Sequence, residues 1–360
     1  MPAMRKPDRR AARGGDGRKE DTAMILIGGA LRRLVAAAAI AAGVSVAAVA
    51  AEPFCPGADL MATRPALAAS AEVAGRAAND DATFWTVTAP DRPGLAPSHL
   101  LGTIHLTDER VTTLPAAVAA AFDAARVLAV ENTAAMNPDP DAETLKIFVP
   151  LAMYTDGRSL KSVLEPGEVD ALVEALKARG LPAWMFMAWK PWAVAVSALT
   201  YPPCEMKRMT AGVKFLDATL VARARAAGRP VADLEDFAGQ LGAIAAIPEP
   251  TQVAMLRTSL KLEPLQSDLH ETMVRLYLDG RIGTLLGLSK ALLAELAPGI
   301  DFGDFWRQLL DARNAQMTAA ALPMVAEGGA FIAVGAGHLV GDTGLVAGLR
   351  RAGYRVEPVR

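Results

Sequence analysis

From residue 82 onward, short apolar runs alternate with longer stretches of helical periodicity. Thr83-Phe-Trp-Thr-Val-Thr is β-branched and aromatic, the Pro/Gly-rich segment 89–97 turns the chain, and His99-Leu-Leu-Gly-Thr-Ile-His-Leu follows, which predicts an antiparallel hairpin. Pro115 opens an Ala-rich helix to about Ala125, and Val127-Leu-Ala-Val reads as a short buried strand. Residues 140–225 are helix-dominated, with breaks at Gly180, Pro191 and Pro202-Pro203. A strand at Pro230-Val-Ala-Asp-Leu precedes a second helical stretch to about 325. The end of the chain predicts a buried strand at Ala330-Phe-Ile-Ala-Val, a helix from Asp342/Thr343 to Gly353, and a closing strand at Tyr354-Arg-Val-Glu-Pro-Val. Strands separated by helices predict an α/β fold: a central mixed, partly parallel sheet with an N-terminal β-hairpin and helical cap insertions at about 140–225 and 240–325 of one domain, 82–360.

An ionisable residue follows each apolar strand. Leu100-Leu-Gly-Thr-Ile leads to His105, Val127-Leu-Ala-Val to Glu131, Val231-Ala-Asp-Leu to Glu235, and Phe331-Ile-Ala-Val through Gly335-Ala-Gly to His338. In open α/β sheets the ligand crevice lies beyond the carboxyl ends of the strands, so these four groups should converge on one rim. Two imidazoles and two carboxylates suit a hard-to-borderline divalent metal, or a general base with orienting acids. Both histidines sit in Gly-x-x-His motifs, Gly102-Thr-Ile-His105 and Gly335-Ala-Gly-His338. A glycine at a strand end lets a neighbour approach closely while the chain turns.

The first 50 residues are of another kind. Nine Lys/Arg in residues 1–33 precede an apolar run, Leu34 to Val49, with a small-residue exit at Ala48-Val49-Ala50. This is the layout of a secretory signal peptide, with Met24 as an alternative start and an uncleaved membrane anchor as the rival reading. Nine of the 37 Lys/Arg and four of the 39 Asp/Glu lie in residues 1–50. The rest of the chain is therefore acidic, with 28 basic against 35 acidic side chains. Such a surface repels phosphate and argues against a nucleic-acid partner. Export implies an oxidising compartment, where the two cysteines, Cys55 and Cys204, read as one disulfide tying the tail, residues 51–81, to the body. No stable membrane span is expected after cleavage, the compartment expected is the periplasm, and oligomeric state is not legible.

The segments Ser98-His-Leu-Leu-Gly-Thr-Ile-His105, Val130-Glu-Asn-Thr133, Gly212-Val-Lys-Phe-Leu-Asp217, Leu234-Glu-Asp236, Leu309-Leu-Asp-Ala-Arg-Asn314 and Gly335-Ala-Gly-His-Leu-Val-Gly341 occur in an order and spacing that resembles the TraB/GumN family, which includes the TIKI-type proteases and is distantly related to the erythromycin esterase and ChaN-like proteins. The resemblance spans about residues 82–360. It implies an active site of His105, His338, Glu131 and Arg313, which is a metal-dependent peptidase in one reading, with a divalent Mn, Co or Zn ion on His105, His338, Glu131 and, as a fourth candidate, Glu235, acting on a peptide or protein substrate. Arg313 would stabilise an oxyanion or clamp a substrate carboxylate. The rival from another class is a non-catalytic periplasmic binding protein, for haem or another ligand, or an accessory factor with a vestigial site. One departure is Tyr277-Leu-Asp-Gly-Arg281, where the family pattern calls for Tyr-x-x-Gly-Asp. Among the remaining side chains, His99 reads as structural, His270 as a surface residue of a charged helix, and Trp184, Trp189 and Trp192 as helix packing, with an aromatic-lined cap that grips a peptide as the other reading.

Overall fold

The computed structural model describes residues 54–137 and 140–359. The signal-peptide reading of residues 1–50 lies outside these. Six strands, β1 (Phe84–Thr88), β2 (Ser98–Thr103), β3 (Val127–Val130), β4 (Val231–Asp233), β5 (Ala330–Gly335) and β6 (Arg355–Pro358), form one sheet in the order β4-β3-β5-β2-β1-β6. β1 pairs antiparallel with β2, as the hairpin pattern predicts, and with β6. β2, β5, β3 and β4 run parallel. The last long strand therefore inserts between the second and third, a long-range pairing that no local pattern encodes.

Eight helices carry the packing of the sheet and its polar clusters: α1 (Pro65–Gly75), α2 (Ala116–Ala124), α3 (Pro203–Thr210), α4 (Leu216–Ala226), α5 (Gln266–Leu278), α6 (Ile282–Leu296), α7 (Ala312–Glu327) and α8 (Leu345–Arg351). Alternate residues of the strands feed opposite faces of the sheet. Leu101, Leu128, Val130, Phe331 and Ala333 pack with α2, α4, α5 and α6 on one face. Leu100, Val127, Ala129, Ile332 and Val334 pack with α7 and α8 on the other. Covered on both sides, β5 is apolar at five successive positions, as a central parallel strand should be. A separate core under the helical insertions holds Leu172, Leu176, Trp192, Leu199 and Leu256.

Of the tail expected over 51–81, the described residues 54–81 are structured. Leu60, Leu67 and Ala71 join the main core, α1 lies along α6, and Cys55 is disulfide-bonded to Cys204 at the start of α3. Two packing expectations need correction. Trp189 and Trp192 are buried, but Trp184 is 72% exposed on a single-turn helix, Ala183–Phe186, too short to cover it. His270 is only 2% exposed, because helical periodicity puts it on the same face of α5 as buried Val274 and Tyr277 despite its charged sequence neighbours.

Candidate functional site

The four parallel strands end at one rim, which brings their following residues together. Glu131, immediately after β3, and Glu235, two residues after β4, share Arg313 from the first turn of α7. Arg313 Nη2 donates to Glu131 Oε2 at 2.6 Å, its Nε donates to Glu235 Oε2 at 2.9 Å, and Nη2 also donates to Glu235 Oε1. A π-helical turn, Arg307–Asp311, precedes α7, and Arg313 Nη1 donates to its Leu309 carbonyl at 3.1 Å. Irregular turns of this kind recur where a helix must aim a functional side chain.

The glycines of the two motifs have separate physical tasks. A Cβ at Gly102 would lie 2.9 Å from Ala336 Cα, so the first motif must be bare for the second to cross it. A Cβ at Gly335 would lie 3.1 Å from Glu131 Oε1, and the Gly335 N–H donates to that oxygen at 2.6 Å. Each glycine thus makes room for another part of the rim. Tyr277, in the stretch that departs from the family pattern, donates its hydroxyl to the Gly102 carbonyl at 2.9 Å and braces the same crossing.

Both histidines are fixed through Nδ1. His105 Nδ1 lies 3.1 Å from Asp217 Oδ2, while Thr103 Oγ1 donates to the other Asp217 oxygen at 2.6 Å. Asp217 is buried in the first turn of α4, where the helix N-terminus favours a carboxylate. His338 Nδ1 lies 2.7 Å from Asn314 Oδ1. Since an amide oxygen only accepts, that nitrogen carries the proton and Nε2 keeps its lone pair in the neutral ring. His338 Nε2 lies 3.7 Å from Glu131 Oε1. Phe215 packs edge-on to the His105 ring, whose side chain keeps 41% of its surface in solvent and gives the rim its route to water.

The environments pull the two rings apart in proton affinity. Burial lowers the His105 pKa, but the charge and hydrogen bond of Asp217 more than offset this and raise it to about 9. Burial lowers the His338 pKa to about 4, against the attraction of Glu131. Burial would raise Glu131, yet the charges on His338, His105 and Arg313 and the Gly335 N–H bring it down to about 2. Burial pushes the Glu235 carboxyl above its ordinary value despite Arg313. A cleft of about 550 Å³ opens beside Glu235, lined by Asn132, Asp233, Leu234, Phe237 and Gln316. That is within the size range of small-molecule and peptide side-chain pockets.

Whether the donors suit a divalent ion can be judged from their chemistry. Pinned Nδ1 atoms with free Nε2 atoms, and an anionic carboxylate, are what metal-ligating groups present when supporting partners orient them. His105, His338 and Glu131 fit in donor chemistry, although among the described residues their three ligand atoms do not all fall within 4.8 Å of one another. Glu235 is the weaker donor, because Arg313 holds both its oxygens and burial pushes its carboxyl toward the neutral form. Arg313 in turn has its fork filled by carboxylates and is placed to hold them. A tighter grouping lies elsewhere: the ligand atoms of buried Cys55, Glu205 and His270 all fall within 4.8 Å of one another. His99 stacks on Phe84 toward the opposite end of β2 and takes no part in the rim. Asp217 and Asn314, which orient the two rings, carry no signal of their own in the sequence beyond belonging to the segments that bear the family resemblance.

Fold and rim together define a mixed α/β protein with a polar, two-histidine site at the carboxyl edge of its parallel strands. The sequence model of the TraB/PrgY/gumN family matches residues 83–358, and the chain belongs to that family. A comparison with curated proteins finds no match.

Proposed function

We propose that the chain is an exported, metal-dependent hydrolase of the peptidase type that works at this rim. The observation that supports it best is the pair His338 Nε2 and Glu131 Oε1. With the His338 proton on Nδ1 and Glu131 ionised, two electron-pair donors face each other at 3.7 Å with no proton to share. Such a pair repels unless a cation lies between, and its spacing is that of two ligands on one ion with metal–ligand distances of about 2.0–2.2 Å. A divalent ion held by His105, His338 and Glu131 would supply Lewis-acid polarisation of a substrate carbonyl.

The chain's own groups prepare that chemistry. Asp217 and Asn314 hold the rings in one orientation each. Arg313 and the Gly335 N–H keep Glu131 anionic and in place. Glu235, with its raised proton affinity and its place on the cleft wall, is the group suited to hold a proton beside the substrate. His105 keeps its own proton to about pH 9, so a cation must displace it, and metal affinity should rise with pH up to that value. Export is supported by the Cys55–Cys204 disulfide, which persists in oxidising compartments, and among the described residues no helix is long and apolar enough to cross a membrane.

The test is a peptide-library digest by chelator-treated protein reloaded with Mn²⁺, Co²⁺ or Zn²⁺, read by mass spectrometry. Cleavage should require reloading and should fall by about 100-fold or more in His338→Gln and in Glu131→Gln. Cleavage indifferent to chelator and to both substitutions would contradict the proposal. So would absence of cleavage together with a Soret band on adding haem, which would make the chain a binding protein.

A further inference from the structure

A second cluster lies apart from the rim residues, where α3 and α5 meet the N-terminal segment. Cys55 and Cys204 are bonded to each other, with Cα atoms 5.8 Å apart. Glu205, the next residue on α3, is fully buried, and its Oε2 lies 4.0 Å from Cys55 Sγ and 3.5 Å from His270 Nε2. His270, on α5, is 98% buried, yet neither ring nitrogen has a hydrogen-bond partner. A buried imidazole left without partners is rare, and each instance asks for a reason. Other charged or polar groups at the cluster include Asp108, which acts electrostatically on His270, partly buried Tyr201, which feels the charge of Glu205, and Thr107 and Arg208, which are engaged with Glu205 or with each other.

We propose that Cys55, Cys204, Glu205 and His270 form a redox-gated site for a zinc-class divalent cation. In the disulfide form the two sulfurs satisfy each other and the site is shut. A dithiol reductant passes two electrons and two protons to the Cys55–Cys204 bond and itself becomes a disulfide, leaving two thiols beside a ready imidazole and carboxylate. The cation then binds two thiolates, one His270 nitrogen and one Glu205 oxygen, and the two thiol protons leave to solvent. Two thiolates, an imidazole and a carboxylate are a four-ligand set of the kind zinc takes in tetrahedral sites. Cys204 lies in the first turn of the eight-residue α3, and helix N-termini favour thiolate over thiol. The unpartnered His270 ring is the feature that the disulfide alone leaves unexplained.

The experiment uses the full chain and Co²⁺ as a spectroscopic probe. Half the sample is reduced with a water-soluble phosphine, which becomes its oxide as water supplies the oxygen and the two thiol protons, so that no added thiol competes for cobalt. The reduced chain should take up one equivalent of Co²⁺ with a thiolate-to-cobalt charge-transfer band, bleached by Zn²⁺, while the disulfide form shows no such band. Cobalt bound at the rim has no sulfur ligand and cannot produce this band, so failure here leaves the proposed hydrolase untouched. His270→Gln should weaken binding by about 10-fold or more, at least the cost of losing a supporting partner. No charge-transfer band in the reduced wild type, which needs no substitution to observe, would overturn the inference. Equal affinity in wild type and His270→Gln would overturn it as well, since the thiols alone would then be the site.

Discussion

The rim and the disulfide cluster are both buried collections of ionisable groups, and they differ in how completely those groups are answered. At the rim, Arg313 spans two carboxylates, Glu131 also takes the Gly335 N–H, and each histidine is fixed at Nδ1. In the cluster, Glu205 is held by Thr107 but the His270 ring has no hydrogen bond at all. A network in which each ring is anchored and each carboxylate is held is preorganised, so removing one member strands the others. A network with an unanswered member loses little when that member goes.

The contrast can be broken in order of expected effect. Arg313→Met leaves two carboxylates buried without their cation and should lower the free energy of unfolding by about 3–5 kcal/mol, measured by urea titration. A loss under about 1 kcal/mol would mean the ion pairs at the rim are far weaker than their burial implies. Gly102→Ala puts a methyl against the Ala336 backbone and should cost about 1–3 kcal/mol, with a matching drop in melting temperature. His270→Met in the oxidised chain breaks no hydrogen bond and gives up only a 3.5 Å approach to Glu205, so it should fall within about 1 kcal/mol of wild type or stabilise it.

The pH dependence of stability sharpens the comparison within the rim itself. Metal-free His338 has its pKa lowered to about 4, so between that value and the ordinary 6.5 the unfolded chain binds a proton that the folded chain refuses, and stability is lost as pH falls through this window. His105 has its pKa raised to about 9, so its contribution is complete below 6.5 and is lost as pH rises toward 9. These two histidines therefore place the stability maximum near pH 6.5 in chelator-treated protein, read as the urea midpoint across the pH range. Asp217→Asn should flatten the alkaline limb and leave the acid limb, since of the two rim histidines His105 alone is paired with that carboxylate. Smallest of all, Trp184→Ser on the exposed turn should change stability by no more than about 0.5 kcal/mol.

Much of the rim was legible because its chemistry follows directly from short apolar strands. Each of the four parallel strands is followed within three residues by an ionisable residue, and their shared direction places those residues on one edge whatever the strand order. The pair of Gly-x-x-His motifs was visible for a physical reason now apparent, that one glycine admits Ala336 and the other Glu131. The disulfide followed from two cysteines and an oxidising compartment. What stayed hidden depends on distant packing. The neighbours Gln266, Asp268 and Glu271 made His270 look solvated, although its spacing to Val274 and Tyr277 already placed it on the buried face of α5. Arg313 reads in the sequence as an oxyanion stabiliser, a substrate-carboxylate clamp or a salt-bridge partner, because nothing there says that its fork meets Glu131 and Glu235. Asp217 lies 112 residues from His105, and only the docking of α4 onto the sheet brings them together.

The central claim is that two histidines of opposite proton affinity flank one anionic carboxylate. The measurement that meets it most directly is a ring-resonance NMR titration of the four histidines in chelator-treated protein, assigned with His105→Gln and His338→Gln. One resonance should titrate near pH 9 and move toward ordinary values in Asp217→Asn, and another should stay neutral down to about pH 4. If both His105 and His338 titrate close to the ordinary 6.5, the rim is not the tuned site described here.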